Sequence, residues 1–376
     1  MQRFWILLRT ELKTWRQDPI TALAGLIPPT ILLVAFGLLF SGELSFPIAV
    51  LNHDRGTVGA LLVDTFDQVL SPFDQPYYRV LDLTEPEAWA AFEAQRIDAV
   101  WVIPADFSAR LEAGQHPEAE MHYNNYIDDR AKNHRLYAAE ILWHFYQRVS
   151  AARHDAWPAP PLETAEVYPL PEMVDWFSII GTGTVLMGVT LGAMINIFML
   201  TYKEQVSQIT LEFGACPRSL VEILLPKVVL ALAMGLLTGT VLLGILYVWA
   251  GIWPGPYLGT VYLLSGLVAL FWISLALVLG LRARHYFAAV VACILSGIIA
   301  FFLAGGLSPV RYYPRGVQWI ARLFPNSYAI DPLRDLMLFH RWPSDWTSTL
   351  LVVAAFALVG LGASFAFTDR QLRRLG

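Results

Sequence analysis

Uncharged apolar residues gather in six runs, 20–40, 177–200, 228–249, 257–280, 286–307 and 348–368, separated by stretches where charge and proline concentrate. A helix needs roughly 20 predominantly apolar residues to cross the hydrocarbon core of a bilayer. Backbone N–H and C=O groups find no water there, so only helices and closed barrels cross it, and these runs lack the period-two alternation of a barrel strand. The pattern predicts an α-helical polytopic membrane protein with six transmembrane helices, one plus five, around an inserted segment, 41–175. No charged residue occurs from position 228 to 281, a stretch long enough for two passes, and Gly251-Ile252-Trp253-Pro254-Gly255-Pro256 predicts the turn between them.

The flanking segments have their own periods. In residues 1–18, Phe4, Leu7, Leu8, Leu12 and Trp15 recur at helical spacing with Arg9, Lys13 and Arg16 interleaved, which predicts an amphipathic elbow helix in the membrane interface. Asp18-Pro19 breaks it and restarts a helix into the first span, 19–40, where Pro28-Pro29 predicts a kink. Within 41–175, strands are expected over 46–51, 77–81, 98–103 and 120–123. Helices are expected over 57–70, 85–95, a short segment ending at 113, and 131–152, with Thr84 as a cap and Pro86 in a first turn. This alternation predicts an α/β domain with a mixed four-stranded sheet. Residues 157–171, rich in proline and acid, read as an extended return to the membrane. Residues 176–376 form the five-helix part. Its stretch 308–347 is amphipathic, with helices expected over 319–324 and 328–339 about Pro325, as short re-entrant or interfacial helices.

Composition agrees with a membrane protein: 56% of residues are hydrophobic and the mean hydropathy is +0.49. Net charge is −5, but residues 41–175 carry 22 acids and 9 bases, a balance of −13, while the remainder stands at +8. Orientation follows the bases of the short connections. Arg3, Arg9, Lys13, Arg16, Lys203, Arg218, Lys227, Arg282, Arg284, Arg370, Arg373 and Arg374 fall on one side; Arg311, Arg315, Arg322, Arg334 and Arg341 fall on the other. The majority places both termini in the cytoplasm and 41–175 outside. Asp331, Asp335 and Asp345 are candidate partners for the dissenting arginines. The bases line a membrane and do not read nucleic acid. The first run is too long, and lacks a suitable cleavage site, to be a removed signal. Cys216 and Cys293 are the two cysteines, so the insert must fold without disulfides.

Catalytic chemistry has no foothold. There is no Walker phosphate loop, the histidines have no metal-site spacing, and the Asn124-Asn125-Tyr126-Ile127-Asp128-Asp129 cluster lacks the calcium-loop pattern. No catalytic residue, metal or cofactor is expected. No span holds a carboxylate, lysine or histidine, which gives a proton- or ion-coupled relay little support. Two segments stand out instead. The connection 201–227 is longer than a turn needs and carries Lys203, Glu204, Glu212, Arg218, Glu222 and Lys227. It reads equally as a docking loop or a solvated hairpin. The second span is small and polar, with Gly181, Gly183, Thr184, Gly188, Thr190, Gly192 and Asn196 among Met187 and Met194; Gly188 and Gly192 make a small-xxx-small pair for close helix approach.

Three segments in this order resemble the membrane permeases of type-2 ABC exporters, in the branch with a large extracytoplasmic domain between the first and second spans. Arg16-Gln17-Asp18-Pro19 resembles part of the family's entry into span one. Within KEQVSQITLEFGACPRSLVEILLPK, Glu204, Thr210, Leu211, Glu212, Pro217 and Lys227 match the coupling loop, although Gln208-Ile209 stands where a glycine-threonine is usual. Pro325-Asn326 and Leu333-Arg334 resemble the outer re-entrant region. The resemblance implies a permease in the inner (cytoplasmic) membrane, moving a substrate outward. A second permease subunit and separate cytoplasmic ATPase subunits would complete it, and the outer domain would meet an adaptor protein or the substrate. Glu204, Thr210, Leu211, Glu212, Phe213 and Arg218 would contact the ATPase. Thr184, Met187, Thr190, Met194, Asn196 and Ser296, on spans two and five, would line the path. The residues alone also fit a receptor or scaffold, an outer sensing domain on a six-span anchor.

Overall fold

The computed structural model describes residues 2–17, 19–40, 45–71, 74–123, 128–153, 174–209 and 220–373. The chain divides into two compact units, one of Met1–Ser41 with Leu170–Gly376 and one of Gly42–Pro169.

The first unit is helical. It holds α1 (Gln2–Arg16) and α2 (Pro19–Phe40), while α3 to α6 belong to the other unit. It continues with α7 (Trp176–Val206), α8 (Leu220–Ala250), α9 (Leu258–Arg282), α10 (Tyr286–Leu303), α11 (Arg315–Ala321), α12 (Asn326–Met337) and α13 (Trp346–Arg373). Among the described residues, five helices are long and apolar enough to cross a membrane: Trp176–Val206, Leu220–Ala250, Gly255–Arg282, Tyr286–Leu303 and Trp346–Arg370. A shorter apolar stretch, Leu23–Leu39, lies in α2, which runs through Pro28 and Pro29 without ending. The chain is thus mostly helical and polytopic. The turn expected at 251–256 is present, with Gly251 and Gly255 at positive φ (69° and 53°).

Helix α7 is the axis of this unit. It packs against α2, α8, α9, α10 and α12, and its apolar stretch is wholly buried. The small residues explain the approach. A Cβ on Gly192 would meet Thr238 Oγ1 of α8 at 2.6 Å and Gly235 Cα at 3.2 Å, and one on Gly235 would meet the Val189 carbonyl at 2.5 Å. Backbones this close are held by van der Waals contact over long stretches, because lipid supplies no hydrophobic drive between helices. Pro226 lies inside α8, and α11 and α12 flank Pro325 as expected.

The second unit is α/β. It comprises β1 (Phe46–Asn52), α3 (Thr57–Gln68), β2 (Tyr78–Leu81), α4 (Glu85–Glu93), β3 (Ala99–Ile103), α5 (Phe107–Glu112), β4 (Glu120–Tyr123) and α6 (Asp128–Arg153). The sheet order is β2-β1-β3-β4, with β1 parallel to β2 and β3, and β3 antiparallel to β4. The run Ala99-Val100-Trp101-Val102-Ile103 is almost continuously apolar because both faces of β3 are covered. Ile48, Tyr78, Ala99, Trp101 and Ile103 join Leu62 and Phe66 of α3 and Ile141 and Phe145 of α6 in one core. Ala49, Leu51 and Val100 pack with Ala88 and Ala91 of α4 in another. Helix α4 starts as expected: the Glu87 carboxylate accepts from Thr84 N–H (3.0 Å) and from the Thr84 hydroxyl (2.7 Å), and Pro86 sits in the first turn. The proline-rich return and the 124–127 part of the Asn/Asp cluster lie outside the described residues.

Candidate functional site

The end of the bundle where α7 passes toward α8 concentrates its charge. Both helices reach farther into the 201–227 connection than the sequence pattern implies, α7 to Val206 and α8 from Leu220, so Glu204 and Lys227 are helical. Lys227 is 1% exposed. Its ammonium donates to a carboxylate oxygen of Glu204 on α7 and to one of Glu11 on α1. A buried ammonium is stable only with charged partners and full hydrogen bonding, and three helices supply them here. One turn along α1 from Glu11, Trp15 Nε1 donates to Asn196 Oδ1 at 2.7 Å, while Asn196 Nδ2 donates to the Gly192 carbonyl at 2.7 Å. The amphipathic α1 is therefore tied to the bundle at two partly buried polar points.

Of the residues expected to meet an ATPase, Glu204 is turned inward to Lys227, its side chain 18% exposed. Thr210, Leu211, Glu212, Phe213 and Arg218 lie outside the described residues. Of the expected path residues, Thr184, Met187, Thr190, Met194 and Asn196 are all buried on α7 within the one subunit, and Ser296 on α10 is half-buried. Their hydroxyls are spent on their own helices: Thr184 donates to Ile180 O (2.9 Å), Thr190 to Met187 O (2.8 Å) and Ser296 to Cys293 O (2.8 Å). Met187 packs with Ile180, Leu191 and Phe301 along the α7–α10 seam, while Met194 belongs to the main core.

At the opposite end of α7, Arg334 of α12 is buried. Its Nη2 donates to Gly305 O (2.7 Å), Gly306 O (3.0 Å) and Ile179 O (3.4 Å), and its Nη1 to Asp331 Oδ1 (3.2 Å). The guanidinium satisfies carbonyls just beyond the C-terminus of α10, where the helix dipole favours a cation. Trp272 Nε1 donates to Asn326 Oδ1 at 2.7 Å, fixing the start of α12 to α9. Two of the aspartates expected as partners serve: Asp331 for Arg334, and Asp335 for Arg341 at 2.6 Å. Sequence reasoning missed Glu11 and the pairing of Asn196 with Trp15. The only local signal for the first was a carboxylate on the inward side of an otherwise basic helix.

Among the described residues no group of three or more His, Cys, Asp and Glu side chains is placed to hold a metal ion. The α/β unit contains an apolar cavity of about 390 Å³ between β3, α5 and α6, walled by Trp101, Phe107, Leu142 and Phe145.

The family described as ABC-2 family transporter protein matches residues 22–366. The chain is 24% identical over 368 residues to the probable multidrug ABC transporter permease YbhR of Escherichia coli (strain K12), covering 94% of this chain and 95% of that one. It is 22% identical over 370 residues to the probable multidrug ABC transporter permease YbhS of the same strain, covering 95% and 94%. No solved structure matches it. With a match across nearly its whole length, and helices built to cross a membrane, the chain belongs to the ABC-2 family of transporter permeases.

Proposed function

We propose that this permease is the membrane subunit of an ATP-driven exporter, working as a pair with a second permease and powered by separate cytoplasmic ATPase subunits. The observation that carries the reading is the family match over residues 22–366, joined to two long helices, α7 and α8, whose connecting sequence carries Glu212 and Arg218. In this reading α2 is a sixth span, both termini are cytoplasmic, and residues 41–175 form an extracytoplasmic domain in a protein of the inner membrane. The connection meets the ATPase through Thr210, Leu211, Glu212, Phe213 and Arg218, with Glu204 behind them as a brace. An adaptor protein is a candidate partner for the outer domain. The relatives' names make drugs a candidate substrate class.

The substrate path runs along α7 and α10. Thr184, Met187, Thr190, Met194 and Asn196 are enclosed within one subunit, so a substrate reaches them only when neighbouring helices part. The α7–α10 seam at Met187 and Phe301 is packed with apolar side chains, and Ser296 lies on α10 nearby in sequence. ATP-driven closure of the ATPases, passed through the connection, would open this seam.

The reading is tested at Glu212. A carboxylate on a docking loop makes charge-assisted bonds to arginines of a partner, and loss of one member of a desolvated pair costs about 2–5 kcal/mol. Glu212→Lys should leave expression and folding intact yet abolish co-purification of the partner ATPase. Wild-type complex yield in that variant would favour the receptor or scaffold reading.

A further inference from the structure

We propose that Lys227 is a positioning residue that makes α1 a moving part of the coupling machinery, carried along with the α7–α8 connection. The inference rests on the functional reading above, which places an ATPase at that connection.

The geometry is specific. Glu204 and Lys227 lie on the two arms of the hairpin, close to where α7 ends and α8 begins, so their ion pair closes its base. The same ammonium also holds Glu11, 216 positions away in the chain. A lysine needed only to fasten the hairpin would require one carboxylate. Here the second comes from α1, and Trp15 with Asn196 repeats the link one turn farther along that helix. Because Lys227 is enclosed, neither pair exchanges readily with water, and the low local dielectric keeps both strong. A displacement of the connection that left α1 behind would break the Lys227–Glu11 pair and leave the Glu11 carboxylate, 16% exposed, without its ammonium. An amphipathic helix moving in the interface would in turn carry α2, which begins at Pro19, three residues after α1 ends.

Glu11→Gln separates this role from simple folding. It removes the α1 carboxylate but leaves the Lys227 ammonium its full counter-charge in Glu204, so the bundle keeps its balance. The experiment uses full-length permease with its ATPase in lipid nanodiscs, in a Cys216→Ser background. An environment-sensitive maleimide fluorophore is placed at Thr10→Cys, an exposed site on α1 whose native hydroxyl donates only within its helix, to Ile6 O. Cys293 is fully buried and stays unlabelled. Trapping with ATP and vanadate should shift the emission in the parent. The shift should be lost in Glu11→Gln and kept in Lys227→Arg, with both variants still folding cooperatively and binding the ATPase. A shift that persists in Glu11→Gln, or that is absent from a parent with ATPase bound, overturns the inference. Failure of the ATPase to bind the parent overturns the functional reading, and the inference falls with it.

Discussion

Arg334 shows at the residue scale how this chain uses charge inside an apolar structure. It is 7% exposed, and its donors go to carbonyls just beyond α10 and in the first turn of α7, and to the Asp331 carboxylate of its own helix. Gly305 adopts φ of +94°, which turns the chain after α10 and presents its carbonyl to the guanidinium. A lysine could reach one of these oxygens but not fork across Gly305 and Gly306. Each charge-assisted bond lost costs about 1.5–3 kcal/mol. Arg334→Lys should therefore lower the melting temperature of the detergent-solubilised protein, read from tryptophan fluorescence. A melt superimposable on wild type would show that the guanidinium fork adds nothing. Sequence alone marked Arg334 as one of five dissenting bases and offered aspartates as partners. It could not show that most of the partners are backbone carbonyls, because those are defined only once α10 ends.

At the scale of elements, the α/β unit is the part whose stability is most open to measurement. It lacks cysteine, so residues 44–156 should melt cooperatively and without response to reductant. His134 of α6 is enclosed by Phe46, Tyr78 and Tyr123, with ring centroids 4.9, 5.7 and 5.7 Å away. Burial holds its pKa below the ordinary value of 6.5; Asp98 opposes that shift and Arg130 adds to it. The unfolded chain takes up a proton near pH 6.5 and the folded one only at lower pH. His134 thus favours the folded state above pH 6.5, and that contribution is lost as pH falls from 6.5 through the folded value. The melting temperature should drop between pH 7.5 and 5.5, and His134→Phe should flatten the drop. An unchanged slope in that variant would assign the effect elsewhere. The elements of this unit were legible because strand and helix periods are short-range: β4 falls at 120–123 as read, and α6 begins three residues before the expected 131. The α7–α8 connection was less legible. Lys203, Glu204, Glu222 and Lys227 resemble loop residues by polarity, yet they lie in helices, two of them facing a partner that no local window contains.

For the whole molecule, the surroundings of the arginines bear on the membrane orientation we propose. Arg311, Arg322 and Arg341 lie with their guanidinium carbons 5.0, 5.4 and 5.3 Å from the ring centroids of Tyr312, Trp319 and Phe339. Arg341 also pairs with Asp335, and Arg334 is buried on carbonyls. Four of the five dissenting bases are thus engaged by their own α11–α12 region, through aromatic faces, a carboxylate and backbone oxygens. They have less weight as free cytoplasmic charge than the basic leader and tail. This supports the orientation we propose, with both termini inside and residues 41–175 outside. Gln115 is exposed on the loop between α5 and β4, so Gln115→Cys should react with an impermeant maleimide in intact cells. Native Cys216 should react only after the membrane is opened, and Cys293, fully buried, should stay silent in both conditions. Labelling of Cys216 in intact cells would invert the topology, place the α7–α8 connection on the outer face, and remove the site at which a cytoplasmic ATPase could act.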